Sequence, residues 1–117
     1  PVDLKISQRR VGTTVLVAPE GEVDLASSDQ LREGLIAAEA AADGSMVVDL
    51  RGVGFIDSTG IGELVGCHRR CKEAEVALAF VVPDGTIRKI LHVTGMDAVF
   101  DLHNGEVAAV ASVSGHE

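Results

Sequence analysis

The chain contains no tryptophan and no tyrosine, and its only aromatic side chains are Phe55, Phe80 and Phe100. A core must therefore be assembled from branched aliphatic and small residues, and no platform of aromatics is at hand to stack nucleic-acid bases. Positive charge is also scarce. Ten lysines and arginines stand against 18 acidic residues, a formal net charge of -8. A phosphate backbone needs a basic footprint, so nucleic acid is not an expected partner. An anionic membrane surface is disfavoured on the same ground, whereas a basic protein surface is not. No apolar run approaches the length of a membrane span, and the first residues lack a basic-then-apolar export signal. The sequence opens at Pro1 with no Met before it, as expected of a processed or trimmed start. With only Cys67 and Cys71 and no export signal, a reducing cytoplasm is the expected setting.

What is present is a rich aliphatic content. The 117 residues are 46% hydrophobic, enough for one core in a single domain spanning 1–117. A domain of this size buries roughly two-thirds of its unfolded surface and needs no metal or disulfide to fold. No repeat, low-complexity tract or linker divides it, and residues 114–117 read as a frayed tail.

The patterning predicts elements in a definite order. Leu4, Ile6 and Gln8 alternate with Lys5, Ser7 and Arg9, a strand that turns at Gly12 into Thr13–Ala18. Pro19-Glu20-Gly21 predicts a break, with a further short strand over Glu22–Leu25. Ser27 and Gln30 fit a capping box, opening a helix through Leu31, Leu35 and Ala38 to about Ala42. Met46–Leu50 reads as a buried strand, Gly52 and Gly54 as a loop leading to Phe55 and Ile56, and Thr59–Glu75 as a second helix. Val76–Val82 follows as a buried strand. A third helix carries Ile87, Ile90 and Leu91 and is capped by Gly95. A last short strand is expected over Val99–Leu102. After Asn104-Gly105 comes a final helix with Val107, Val110 and Val113 as its stripe. Buried strands joined by helices pair mostly in parallel, and the leading strands suggest an antiparallel edge. The expected fold is α/β: a mixed sheet of four to five strands covered by about four helices.

The most informative segment is Val47–Val65, VVDLRGVGFIDSTGIGELV. A buried strand ends, a loop passes, and Asp57-Ser58-Thr59-Gly60 opens a helix. Helix starts present unpaired N–H groups and the positive end of the dipole, so a phosphate on Ser58 is compatible with its own fold. Such a group places about two negative charges on an exposed corner. Gly60 and Gly62 add no bulk, leaving the backbone open to close approach by a partner. Asp, Ser and Thr before a helix are equally the commonest N-caps, and on local chemistry capping alone accounts for them. No Gly-x-Ser-x-Gly elbow is present and no His stands as a base, so a catalytic nucleophile is not indicated and no enzymatic activity is expected.

The string Phe55-Ile56-Asp57-Ser58-Thr59-Gly60-Ile61-Gly62 resembles the signature of STAS-domain anti-sigma factor antagonists. Gly21-Glu22-Val23-Asp24 resembles that family's Gly-Glu-hydrophobic-Asp segment after the second strand, and the spacing between the two also resembles the family. The likeness runs from about Leu4 to Val113. It implies a STAS-like fold and a partner-switching cycle. The unphosphorylated protein binds an anti-sigma factor, itself a serine kinase of the GHKL ATPase type, and so releases a sigma factor. The kinase phosphorylates the first hydroxyl of the motif, here Ser58, with Thr59 a lesser candidate, and the complex dissociates. A metal-dependent serine phosphatase resets the switch. The resemblance further implies that Asp24 lies beside the phosphorylation site and, with Asp57, Ser58, Thr59, Gly60 and Gly62, meets the partner. Glu63 departs from the family pattern, adding negative charge in the expected first turn where many members carry an apolar or small residue. The alternatives are an unphosphorylated STAS adaptor within a lipid transporter or stress-signalling scaffold, and a small-molecule sensor. The latter lacks a glycine-rich phosphate loop.

The remaining features read as structural, and no cofactor or metal is expected. Cys67 and Cys71 are four apart on the second helix, near Leu64 and Ala74 on its inward stripe, and fit as small buried hydrophobes. Two ligands are too few for a structural zinc, and parallel side chains suit a disulfide poorly. Arg69-Arg70 and Arg88-Lys89 read as solvated faces, Asp84, Asp97 and Asp101 as loop or capping residues, and His92, His103 and His116 show no metal spacing.

Overall fold

In the computed structural model, residues 3–114 are described. The elements run β1 (Lys5–Val11), β2 (Thr14–Val23), α1 (Ser28–Ala41), β3 (Ser45–Asp49), β4 (Val53–Ile56), α2 (Ser58–Glu73), β5 (Ala77–Val81), α3 (Thr86–Val93), a 3-10 turn (Met96–Ala98), β6 (Leu102–His103) and α4 (Glu106–Ser114). Six strands form the sheet in the order β1-β2-β3-β5-β6, with β4 also paired to β2. The β1/β2 pair is antiparallel and the other pairings are parallel. The mixed sheet with an antiparallel edge is thus as expected, with six strands in place of the four to five expected.

The central strands are apolar on both faces, and alternation sorts their side chains. Val15, Val17, Met46, Val48, Phe80 and Val82 join the core that buries Leu31, Leu35, Leu64 and Leu91 of α1, α2 and α3. Leu16, Val47, Ala79 and Val81 point the other way, onto Ala109 and Val113 of α4. Helices on both faces explain why these strands read as continuous apolar runs rather than alternating ones. Phe80 and Phe100 stack with centroids 4.6 Å apart, so two of the three aromatics share one place.

Several expectations need correction. Pro19-Glu20-Gly21 does not end β2. The strand continues to Val23, and the register shifts between Gly21 and Glu22 as it leaves β3 and takes β4 as its neighbour. Gly21, at φ 129°, supplies the conformation this transfer needs. The capping box at Ser27 does not form: the Ser27 hydroxyl donates to the Glu22 carbonyl, and the Gln30 side chain accepts from the Leu4 N–H instead. The expected loop at Gly52 and Gly54 instead gives way at Val53 to β4, which runs on through Phe55 and Ile56 and is too short to show as an alternating pattern. The expected strand over Val99–Leu102 lies later, at Leu102–His103, because the 3-10 turn occupies the chain before it. In α4, Val107 is 85% exposed while Ala109 and Val113 are buried. A three-residue spacing drifts by about 60° per step against the helical period, so Val107 falls off the face that Val113 occupies. Ser114 closes α4 rather than fraying, and 115–117, with His116, lie outside the described residues.

Candidate functional site

The continuation of β2 beyond its pairing with β3 builds the site. The β2/β4 ladder ends at Val23↔Ile56, and the Asp57 N–H then donates to the Val23 carbonyl at 3.0 Å. Two turns far apart in sequence, Asp24–Ser27 and Asp57–Thr59, are therefore neighbours. Asp24 and Ser58, expected close together, leave adjacent strand ends.

Each turn is held by its own aspartate. Asp24 Oδ1 accepts from the Ala26 N–H at 3.0 Å, from the Ser27 N–H at 3.2 Å, and from the Ser27 hydroxyl. One of the two Asp24 oxygens is thus spent as a turn carboxylate at the entry to α1. Asp57 is the N-cap of α2, and its Oδ1 accepts from the N–H groups of Thr59 and Gly60 at 3.0 and 3.2 Å. The Thr59 hydroxyl donates to the same oxygen. That hydrogen bond, against a smaller opposing effect of desolvation and helped by the N–H groups of Gly60, Thr59 and Leu25, holds the Asp57 carboxyl below the usual carboxylate range.

Ser58 is the first residue of α2, one position earlier than the spacing predicts. It is exposed, and its hydroxyl has no hydrogen-bond partner among the described residues. Thr59 is half-buried and its hydroxyl is engaged by Asp57. The two hydroxyls are therefore unequal: one projects freely and the other is part of the cap. With α2 starting at Ser58, Glu63 is its sixth residue and no acidic side chain occupies the first turn, contrary to expectation.

The two glycines also differ. Gly62 is exposed, and a Cβ there would meet nothing within 4 Å. Gly60 is buried, and a Cβ there would stand 2.5 Å from Val23 Cγ1 and 2.6 Å from Ile56 Cγ1. Gly60 is thus fixed by internal packing of α2 onto the β2/β4 pair rather than by open backbone. Beside the corner lies an open cleft of about 460 Å³, lined by Asp3, Gly21, Glu22, Asp24, Ser27 and Gln30. Leu25, 77% exposed, and the half-exposed Phe55 add apolar surface at the two turns. No lysine or arginine occurs between Glu20 and Leu31 or between Gly52 and His68, so the corner is acidic and uncompensated by its own segments.

Away from this corner, Cys67 and Cys71 are buried and reduced, as expected of the inward stripe of α2, whereas Ala74 caps the helix and is exposed. The Cys71 sulfur, and burial after it, push the Cys67 thiol up. Arg70 is not on a solvated face. It forks onto Glu39 of α1, with Nε 2.7 Å and Nη2 2.9 Å from the two carboxylate oxygens. Glu39 carries no motif, and only the packing of α1 on α2 brings it to notice.

The STAS domain family model matches residues 5–109. An anti-sigma-B factor antagonist of Bacillus subtilis is 28% identical over 102 residues, covering 86% of this chain and 88% of its own length. The crystal structure of an anti-sigma factor antagonist from Mycobacterium paratuberculosis superposes with a TM-score of 0.88 at 23% identity, covering 96% of this chain and 95% of that one. The Bacillus cell fate determinant SpoIIAA in its phosphorylated form superposes with a TM-score of 0.67 at 22% identity, covering 93% of this chain and 99% of that one.

Two outcomes follow from the packing and the cap. Gly60→Ala is expected to destabilise the protein. Forcing a methyl into a filled site costs about 1–3 kcal/mol, of which better helix propensity returns at most about 1 kcal/mol. Urea unfolding measures the difference, and parental stability would mean that Val23 and Ile56 yield freely. The Asp57 carboxyl, being lowered in the folded state, contributes stability that is present above its unfolded value, about pH 4, and is lost as pH falls through the lower folded value. Acid unfolding followed by circular dichroism should show part of the parent's loss below about pH 4 missing from Asp57→Asn. Superimposable acid profiles would remove Asp57 as a contributor.

Proposed function

Because this chain is a STAS domain of the anti-sigma factor antagonist family, we propose that it is a cytoplasmic, non-catalytic switch. In its unphosphorylated form it binds an anti-sigma factor and frees a sigma factor. Phosphorylation of Ser58 ends the binding. The kinase is the anti-sigma factor itself, a GHKL-type ATPase, and a metal-dependent serine phosphatase reverses the step. The partner meets Asp24, Asp57, Ser58, Thr59 and Gly62, with Gly60 supporting that surface from below. The absence of a helix long and apolar enough to cross a membrane among the described residues is compatible with this setting.

The single observation that carries the reading is the free, exposed Ser58 hydroxyl at an acidic corner. A kinase needs a hydroxyl that can reach out of its own fold, and Ser58 offers one while Thr59 is held by Asp57. Asp57 already accepts from two N–H groups of the helix start. A phosphate on Ser58 therefore projects outward beside a carboxylate instead of sinking into the helix end. At a close interface that dianion must be desolvated or meet like charge. The effect falls on affinity, and the fold stays as it is. The fold is shared by SpoIIAA in its phosphorylated form.

Ser58→Ala should bind the anti-sigma factor and resist release by ATP, and Ser58→Asp should bind poorly while melting close to the parent. Loss of about 3 kcal/mol across the interface weakens binding by roughly two orders of magnitude. Calorimetric titration of the three forms with the cognate anti-sigma factor, alongside thermal melts and mass spectrometry for phosphate on Ser58, is the measurement. Equal affinities with no phosphate transferred would favour a constitutive adaptor. Asp24 is tested by two substitutions. Asp24→Asn keeps an oxygen for the turn and removes the charge, so it should weaken binding by about tenfold or more at parental stability. Asp24→Ala should lose stability as well. If Asp24→Asn binds like the parent, Asp24 serves the turn alone.

A further inference from the structure

We propose that Glu39, Cys67 and Cys71 form a binding site for one thiophilic divalent ion of the zinc class, bridging α1 and α2. A carboxylate oxygen of Glu39 and the two sulfurs lie within 4.8 Å of one another. A tetrahedral zinc with bonds of about 2.3 Å to sulfur and 2.0–2.2 Å to oxygen holds its ligands roughly 3.5–3.8 Å apart. Side-chain rotation of about an ångström brings the three into place, with a fourth position left for water at the partly open Glu39 edge.

The spacing that admits an ion resists a disulfide. Residues four apart on a helix keep their Cβ atoms about 5–6 Å apart, beyond the 3.5–4.5 Å or so that a disulfide spans. Two sulfurs joined through a metal need no such approach. The pair of soft donors selects zinc-like ions over magnesium or calcium.

Arg70 is the feature that weighs against a cation here, and its geometry answers the objection. It donates one hydrogen bond to each Glu39 oxygen, and each oxygen retains a second lone pair. The guanidinium then orients a ligating carboxylate, as the outer partners of metal ligands commonly do. Charge also balances. Without an ion, Glu39 and Arg70 neutralise each other beside two protonated thiols. On binding, each thiol releases its proton to solvent as its sulfur lone pair bonds to the metal. Two thiolates and one carboxylate then offset one divalent ion and one guanidinium. No electron moves, and binding weakens as pH falls because protons compete for the sulfurs.

The chain's lack of tryptophan and tyrosine gives a clear ultraviolet window for the test. Reduced protein is titrated with Cd2+, followed by its thiolate-to-metal charge-transfer band, and Zn2+ is then added in competition. Expected are one equivalent bound through two thiolates, displacement by Zn2+, release of two protons, and a melting temperature raised by Zn2+. Cys67→Ser and Cys71→Ser should abolish the band. Should either fail to fold, Glu39→Gln decides, since it leaves both thiols in place and should weaken binding roughly tenfold or more. No charge-transfer band at a large excess of Cd2+, or unchanged affinity in Glu39→Gln, overturns the site.

Discussion

One backbone hydrogen bond, from the Asp57 N–H to the Val23 carbonyl, ties together everything that the candidate site contains. It closes the short β2/β4 ladder at the point where both strands run out. Beyond it, one chain segment turns through Asp24 into α1, and the other turns through Asp57 into α2. Each turn is then stiffened by its own carboxylate, and the Asp57 carboxylate also interacts with the Leu25 N–H of the neighbouring turn. The packing of Gly60 against Val23 and Ile56 sets the height of α2 on this pair. The corner is a rigid product of sheet topology, and the side chains that project from it inherit that rigidity.

Rigidity and charge suit the proposed switch in different ways. Ser58 extends from a capped helix end whose dipole is already satisfied by Asp57. Added negative charge at that position has no cation from the neighbouring segments to attract it, since none occurs between Glu20 and Leu31 or Gly52 and His68. A modification there changes what the surface offers to a partner and leaves the interior contacts as they are. Leu25 and Phe55 place apolar area beside the same charge, so the proposed contact and the proposed control would share one small surface.

The sheet and its helices were legible because buried strands such as Met46–Leu50 and Val76–Val82 are unbroken apolar runs, and Leu31, Leu35 and Ala38 recur at helical spacing. The Ser58 corner was legible through its motif resemblance. What escaped did so for local reasons. β4 is four residues long and interrupted by Gly54, which removes the alternation that would mark it. Pro19 and Gly21 have the composition of a break, yet they lie where β2 exchanges one neighbour for another, and the Gly21 N–H still donates to the Gly52 carbonyl. Gln30 has the right spacing for a capping box, but the Leu4 N–H, distant in sequence, claims its oxygen. Glu39 sits in an unremarkable polar stretch of α1, and no pattern along one chain reveals that it faces two sulfurs on another helix.

The division of helices between the two faces of the sheet has a dynamic consequence. α1, α2 and α3 share one large core, while α4 alone covers Leu16, Val47, Ala79 and Val81. Its start is tethered by Glu106, which pairs with Arg9 and Arg51. Detaching α4 uncovers only that small patch and leaves the β2/β4 junction intact. α4 is thus expected to open as a separate unit, its amides exchanging with solvent through a local transition before those of α2. α4 packs on the face of the sheet opposite α1 and α2, so its opening need not disturb the corner that those two helices frame.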